Sequence, residues 1–224
     1  AHNNKTAWCW GREGPLVVCV HGWGGCGGAD LADMAIALSE DGFRVVAIDM
    51  TAHGRSSGSR LSFRQFSRDI AALAQRIDEN VFAYVGYSAG GLSMMAARKL
   101  EGITADNYVC IASPKRPYPP LNIIEKKLGI SERVLSRYQN FLSQQFGCAW
   151  HMITEMAFSY EPKKNLLLIY DEDDRLVSHE DGDQISRLWP ASQLLKLQGN
   201  SHKNIIRSQE VIESVRAYLI SKRG

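Results

Sequence analysis

Gly86-Tyr87-Ser88-Ala89-Gly90-Gly91 decides the fold, because it joins a β-rich apolar run, Val81 to Val85, directly to a helical pattern at 90–100. A Gly-x-Ser-x-Gly turn in that setting strains the backbone of its serine and requires small neighbours. It presents the Ser88 hydroxyl and the Ala89 backbone amide together at the start of a helix, where negative charge is favoured. The sequence therefore predicts a nucleophilic serine here, and the alternative is a structural glycine-rich turn.

The same alternation of apolar run, turn and helical pattern extends along the chain in both directions. Most of the runs are apolar nearly throughout, as expected for strands of a parallel sheet that helices cover on both faces. We predict an α/β protein with an open, doubly wound, mostly parallel sheet in one domain, 1–224. The other predicted strands are 16–20, 43–48, 108–112, 166–170 and 193–197, and the other helices of the alternation are 29–39, 63–77 and 203–220.

One segment, 114–164, interrupts this alternation with about fifty residues where a crossover needs only about a dozen. It opens with prolines and turns helical at 121–128, 131–146 and 149–158, which predicts a helical cap over the site. Between positions 114 and 140 it holds six basic and two acidic residues. Those charges indicate either a solvated helix face or a cap that accepts acidic acyl groups or an acidic carrier.

Composition narrows the classes of function. Lys and Arg (26) nearly balance Asp and Glu (24), so neither nucleic acid nor an anionic membrane is expected as the main partner. The longest apolar runs, such as Leu16 to Val20, have five residues, whereas a membrane span needs about twenty. Five cysteines without Cys-x-x-Cys spacing predict reduced thiols and a cytoplasmic location. The sequence has no zinc-ligand spacing and no phosphate-binding loop, so we predict neither a metal nor a cofactor.

Two further loops give the chain its likeness to a known family. His21-Gly22-Trp23-Gly24-Gly25 follows one strand, and Asp49-Met50-Thr51-Ala52-His53-Gly54-Arg55-Ser56 follows the next. With the Ser88 turn, they make the chain resemble the α/β-hydrolase superfamily over essentially its whole length, and the first loop loosely resembles that of carboxylesterases. The resemblance implies an oxyanion hole formed by the amides of Trp23 and Ala89. It also implies a structural second loop, in which Ala52 replaces a usual glycine and His53 stays outside the catalytic set.

A serine of this family needs a histidine base and an acid, which follow it in the order Ser, acid, His. Three histidines lie downstream of Ser88, at His151, His179 and His202. His202 comes after the last strand and before the last helix, where the resemblance places the base. His151 lies in the insertion, and His179 follows the acidic loop too closely to reach the serine.

The acid comes from the run Asp171-Glu172-Asp173-Asp174 after the strand at 166–170. Charge alone leaves the choice among these four carboxylates open. The resemblance, to a Gly-x-x-Asp-x-x-Val turn that ends here at Val177, implies Asp174 as the acid, with Asp173 next. It aligns Asp171 with the glycine, a position that an aspartate fills if its backbone is left-handed.

These residues predict a serine hydrolase that cleaves a small or medium acyl ester through an acyl-enzyme, with a small-molecule acyl substrate as its partner. A thioesterase or acyltransferase would use the same three residues. A catalytically inactive binding protein on the same scaffold is the other alternative, because fold alone does not choose among functions. The sequence gives no indication of the oligomeric state.

Overall fold

A computed structural model of the chain describes residues 4–118, 125 and 127–223, which form one seven-stranded sheet with helices on both faces. The strands lie in the order β1-β3-β2-β4-β5-β6-β7, and β1 alone runs antiparallel to its neighbour β3. The strands are β1 (Ala7–Trp10), β2 (Leu16–Val20), β3 (Arg44–Ile48), β4 (Val81–Tyr87), β5 (Asn107–Ile111), β6 (Asn165–Asp171) and β7 (Gln193–Leu197). This arrangement confirms the predicted α/β architecture with a mostly parallel, doubly wound sheet.

The described helices connect these strands. They are α1 (Gly27–Asp30), α2 (Ala32–Glu40), α3 (Phe63–Ile77), α4 (Ala89–Leu100), α5 (Glu132–Phe146), α6 (Ile153–Ala157), α7 (Glu180–Leu188) and α8 (Gln209–Ser221). Two 3₁₀ turns, Trp150–Met152 and Ile205–Arg207, precede α6 and α8.

Burial explains why the central strands are apolar throughout. Side chains alternate between the two faces of a strand, so Tyr84 and Val85 of β4 belong to two separate apolar clusters. Every residue of β2 and of β5 is buried, because helices cover the sheet on each side. Hydrophobic burial on both faces therefore fixes the sheet that carries the site.

Several elements differ from the sequence prediction. The predicted helix at 29–39 is divided at Leu31 into α1 and α2, and the one at 203–220 starts as a 3₁₀ turn and becomes regular only after Ser208. Strand β1 and helix α7 were not predicted. The four residues of β1 are all apolar, but their side chains alternate between exposed and half-buried, and so short an edge strand gives only a weak signal.

The insertion packs against the rest of the chain through its second half. Phe146 at the end of α5 is buried, and its ring centroid lies 6.3 Å from that of Phe63. The buried Arg98 of α4 donates to the carbonyl oxygens of Ala157 and Ser159, at 3.2 and 2.7 Å. The predicted helix at 121–128 lies largely outside the described residues.

Parallel strands end at the same edge of a sheet, and that edge gathers the loops of interest. The loops after β2, β4, β6 and β7 hold the predicted oxyanion loop, serine, acid and histidine, respectively.

Candidate active site

Ser88 occupies the turn between β4 and α4 in a backbone conformation that few residues adopt. Its φ of 52° and ψ of −125° lie in a sparsely populated region, which costs about 1–3 kcal/mol. The backbone amide of Ser88 donates to the carbonyl oxygen of Ile111 at 2.8 Å, so the neighbouring strand β5 holds the turn in place. The hydroxyl is thereby fixed at the carboxyl edge of the sheet.

The glycines around Ser88 are required by close packing. A Cβ atom at Gly86 would lie 2.5 Å from the Cα atom of Gly91. A Cβ atom at Gly90 would meet the carbonyl oxygen of Val20, and one at Gly91 would overlap the Ser113 side chain. The turn accordingly fits against two other strands only if these three positions lack side chains.

The structure brings Ser88, His202 and Asp174 together in one hydrogen-bonded line. Ser88 Oγ lies 2.9 Å from His202 Nε2, and His202 Nδ1 lies 2.6 Å from Asp174 Oδ2. A carboxylate only accepts, so Nδ1 carries the proton and Nε2 is the acceptor that faces the serine. The side chain of Asp174 is 1% exposed and that of His202 is 12% exposed. This arrangement suits a histidine that removes the serine proton.

The acidic loop assigns a different partner to each aspartate. Asp174 Oδ1 accepts from the backbone amides of Leu176 and Val177, at 2.8 and 3.0 Å, which leaves Oδ2 for His202. Asp173, the second candidate from the sequence, accepts from the Gly199 amide at 2.8 Å instead. It is Asp174 rather than Asp173 that contacts the histidine.

Asp171 has a position that the sequence did not predict. Asp171 is the last residue of β6 and has no positive φ, so this position does not need the left-handed backbone that a glycine allows. Its buried Oδ2 accepts from both the backbone and the side-chain amide of Asn200, at 3.0 and 2.9 Å. Asp171 therefore ties the acidic loop to the loop that carries His202.

The other downstream histidines lie away from this line. His151 belongs to the 3₁₀ turn before α6, and His179 is the N-cap residue of α7. Neither belongs to the lining of the cavity at Ser88.

The two predicted oxyanion donors both lie near Ser88, since Ala89 is the next residue along the chain. Gly22 is so close to the serine that a Cβ atom there would be 3.0 Å from Ser88 Cβ, which brings the Trp23 loop against Ser88. Among the described residues, no backbone carbonyl accepts from the amide of Trp23 or of Ala89. Both amides thus remain available to an oxyanion.

Two histidines connect the Trp23 loop to the loop after β3. His53 Nδ1 donates to the Thr51 carbonyl oxygen at 3.0 Å, and its Nε2 accepts from the Gly24 amide at 2.8 Å. Buried His21 donates from Nδ1 to the Gly22 carbonyl oxygen and accepts at Nε2 from the Met50 amide. Burial lowers the pKa of the His21 imidazole, which favours this neutral form.

Sequence reasoning kept His53 outside the catalytic set but did not find its bond to Gly24. The loop around it also contains Ala52, whose φ of 61° explains why a glycine is usual there.

Tyr87 is a further residue that the sequence did not single out. Its hydroxyl donates to the His202 carbonyl oxygen at 2.6 Å. Burial, followed by the charge of Asp174, raises the pKa of this phenol, so it remains a donor.

Ser88 and His202 open into a cavity of about 1090 Å³. Trp23, Phe63, Pro114 and Leu176 give the cavity apolar surface, and the charged residues in its lining are Asp173, Arg175 and Lys203. The described bases of the insertion do not appear in this lining. Two of these bases have other partners: Lys115 pairs with Asp181 at 3.3 Å, and Arg116 lies over the Trp150 ring. Lys126 falls outside the described residues.

The described residues provide neither a metal cluster nor a helix suited to a membrane. Within 4–118, 125 and 127–223, no three His, Cys, Asp or Glu side chains lie close enough together to hold a metal ion. None of the described helices combines the length and apolar character that crossing a membrane requires.

Comparison with known proteins agrees with this architecture. The family model for the alpha/beta hydrolase fold matches residues 15–146. A non-heme chloroperoxidase of Streptomyces lividans is 31% identical over 110 residues, which span 47% of this chain and 40% of that protein. An uncharacterized hydrolase of Bacillus subtilis (strain 168), YugF, is 24% identical over 86% of this chain and 84% of its own length. Est1E from Butyrivibrio proteoclasticus, solved with ferulic acid bound, superposes with a TM-score of 0.76 at 17% identity, over 97% of this chain and 94% of that one.

Proposed function

The chain belongs to the α/β-hydrolase fold family, and we propose that it is a serine hydrolase that cleaves small or medium acyl esters through an acyl-enzyme. The observation that carries this proposal is the hydrogen-bonded line from Ser88 Oγ through His202 to Asp174, at 2.9 and 2.6 Å. It ends in a cavity large enough for a small-molecule ester.

In the first half of the proposed reaction, Ser88 Oγ forms a bond to the acyl carbon while His202 Nε2 takes the hydroxyl proton. Asp174 holds the proton on Nδ1 and stabilises the imidazolium that results. The oxyanion accepts from the amides of Trp23 and Ala89, each of which lowers the barrier by about 3 kcal/mol. The N-terminus of α4, which begins at Ala89, favours the same negative charge.

In the second half, the bond between the acyl carbon and the oxygen of the leaving alcohol breaks, and His202 gives its proton to that oxygen. Water then enters, loses a proton to His202 and attacks the acyl carbon of the acyl-enzyme. Collapse of this second intermediate releases the carboxylic acid and returns the proton to Ser88. Thioesters would follow the same steps with a thiol as the leaving group.

We also propose that residues 1–224 form one domain with a helical cap at 114–164. The proposed location of the protein is the cytoplasm. Two contacts support the cap: Pro114 lines the cavity, and Phe146 of α5 packs against Phe63, which lines it too. The proposal of a reducing compartment rests on the five cysteines, which are all free thiols.

The test compares the wild type with Ser88→Ala on acetyl, butyryl and octanoyl esters and on the matching thioesters. We expect ester turnover in the wild type and a loss of several orders of magnitude in Ser88→Ala, because the nucleophile is absent. A fluorophosphonate probe should label the wild type and leave Ser88→Ala unlabelled. Since one relative is named a non-heme chloroperoxidase, chloride with hydrogen peroxide forms a separate arm of the screen.

Ser192→Ala is the matched control, because Ser192 precedes β7 at the opposite edge of the sheet. Its turnover and its labelling should equal those of the wild type. Circular dichroism checks that each variant is folded. If folded Ser88→Ala retained wild-type ester turnover, the proposed nucleophile would be wrong. An unlabelled wild type would favour the inactive binding protein, and preference for thioesters would favour the thioesterase.

A further inference from the structure

The proposed function fixes where the two halves of an ester lie in the cavity, and the following inference rests on it. His202 Nε2 must protonate the leaving oxygen, so the leaving group lies beside His202. The acyl carbonyl must reach the amides of Trp23 and Ala89, so the acyl half begins on the other side of Ser88. The cavity is therefore divided into a leaving-group side and an acyl side.

The cavity lining includes two cations that neighbour the proposed base and acid in the sequence. Lys203 follows the histidine directly and Arg175 follows the acid directly, and both line the cavity. Both residues are exposed. Neither makes an ion pair with any residue in the described part of the chain. Their charges are consequently available to a ligand.

Only one exposed carboxylate opposes these cations in the described lining. Asp173 accepts from the Gly199 amide at 2.8 Å, which holds its carboxylate toward the loop after β7, and Asp174 is buried and bonded to His202. The described lining thus carries two positive charges, from Arg175 and Lys203, and one negative charge, from Asp173. Trp23 and Phe63, whose ring centroids lie 5.5 Å apart at an angle of 37°, give the lining apolar surface next to the proposed oxyanion loop.

We propose that Arg175 and Lys203 form a subsite for an anionic group on the leaving alcohol or thiol, while an apolar acyl chain lies against Trp23 and Phe63. The group is a carboxylate or a phosphate, since a guanidinium and an ammonium bind either one. The acyl–oxygen or acyl–sulfur bond breaks, His202 supplies the proton, and the released product carries the anion. The substrate class is an ester or thioester that joins an apolar acid to an anionic alcohol or thiol.

The experiment uses three butyryl esters that differ only in the leaving alcohol: ethylene glycol, glycolate and 2-hydroxyethyl phosphate. Released acid is titrated at low and at high salt to give kcat/KM. In the wild type we expect both anionic esters to exceed the neutral ester, and this preference should fall as salt rises. Arg175→Gln and Lys203→Gln should each lower the ratio of anionic to neutral kcat/KM by about fivefold. The double variant should remove the preference.

Lys163→Gln is the matched control, because it removes an exposed cation that precedes β6 at the opposite edge of the sheet. It should retain the wild-type ratio of anionic to neutral kcat/KM. Equal kcat/KM for all three esters in the wild type, or an unchanged ratio in the double variant, would overturn the subsite while leaving the proposed hydrolase intact. A higher kcat/KM for either anion supports it and identifies whether carboxylate or phosphate is the source of the charge.

Calorimetry with Ser88→Ala separates the subsite from turnover, because this variant retains both cations but lacks the nucleophile. We expect the glycolate or the phosphate ester to bind more tightly than the ethylene glycol ester, and this difference should disappear when Arg175→Gln and Lys203→Gln are added. The measurement also applies if the wild type hydrolyses none of the esters. Equal affinity for all three would overturn the subsite, whereas the proposed hydrolase is judged separately by turnover and probe labelling of the wild type and Ser88→Ala.

Discussion

His202 is held at three of its atoms, by the adjacent residues Tyr87 and Ser88 of one turn and by Asp174 of the acidic loop. Asp174 accepts from Nδ1 at 2.6 Å, Ser88 lies 2.9 Å from Nε2, and the Tyr87 hydroxyl donates to the backbone oxygen at 2.6 Å. A ring fixed in this way needs little reorganisation when charge develops on it. In the proposed reaction, the free energy needed to orient these groups is therefore supplied by folding, before the substrate binds.

The first prediction, at the scale of single residues, compares two adjacent carboxylates. Asp174→Asn should lower kcat by about 10⁴, because an amide stabilises the wrong tautomer of the histidine and carries no charge. Asp173→Asn should cost far less, since Asp173 bonds to the Gly199 amide and not to His202. Steady-state kinetics on a butyryl ester measures both variants. A loss of similar size in the two would contradict the assignment of the acid.

At the scale of elements, the site depends on loops that hold one another. The loop after β6 is tied to the loop after β7 through Asp171 and Asn200. The loop after β2 is tied to the loop after β3 through His21 and His53. Each connection satisfies backbone groups that would otherwise lack partners at the edge of the sheet. The loops are therefore ordered by hydrogen bonds from side chains.

The second prediction concerns the link from His53 to the Trp23 loop. His53→Phe keeps a ring against Phe66, 5.7 Å away, but removes the acceptor for the Gly24 amide and the donor to Thr51. We expect kcat to fall about tenfold with little change in KM, because the neighbouring Trp23 amide is no longer held against the oxyanion. His53→Gln, which retains an acceptor and a donor, should recover part of kcat.

The exposed His151→Gln serves as the control and should behave as the wild type in both kcat and KM. Thermal melts separate catalysis from stability. If His53→Phe lowered the melting temperature and left kcat unchanged, His53 would support the fold alone.

The elements that the sequence predicted are those encoded by a short continuous stretch of residues, such as an apolar run or a motif. Val81 to Val85 is a continuous apolar run, and Ser88 stands in a motif with its strand and helix on either side, so both were recognised. Helix α7, with only Ile185 buried among its apolar side chains, and the edge strand β1 carry weak local patterns. The bond between His53 and Gly24 joins residues 29 positions apart, and no local pattern encodes it.

At the scale of the whole molecule, the two apolar clusters, one on each face of the sheet, contain thiols and phenols that would ionise in alkaline water. Cys19 of β2 and Cys110 of β5 are fully buried, and burial raises the pKa of each thiol to about 12. Tyr84 and Tyr170 are enclosed as well, and burial raises the pKa of each phenol. Because these groups remain neutral in the native state, folding and alkaline titration are linked.

The third prediction follows from the sign of these shifts. A thiol whose pKa is raised in the folded state contributes its full stability below the unfolded value of 9.0 and loses it as the pH rises toward about 12. The free energy of unfolding should therefore fall above pH 9, by about 1 kcal/mol per pH unit for each buried thiol. Urea unfolding at pH 8, 9, 9.5 and 10, with reductant present, measures this slope before the tyrosines, whose ordinary pKa is 10.0, contribute strongly.

The double variant Cys19→Ala/Cys110→Ala tests whether the buried thiols cause this slope. It should be less stable than the wild type at pH 8 because it leaves two small cavities, yet its stability should fall less between pH 9 and 10. Cys9→Ala is the control and should keep the wild-type slope, since it removes an exposed thiol that lies outside both apolar clusters. An equal slope in the double variant and the wild type would mean that other groups cause the alkaline loss. If stability fell less steeply with pH in the double variant but not in Cys9→Ala, the buried thiols of the two apolar clusters would be the cause of the sensitivity to alkali.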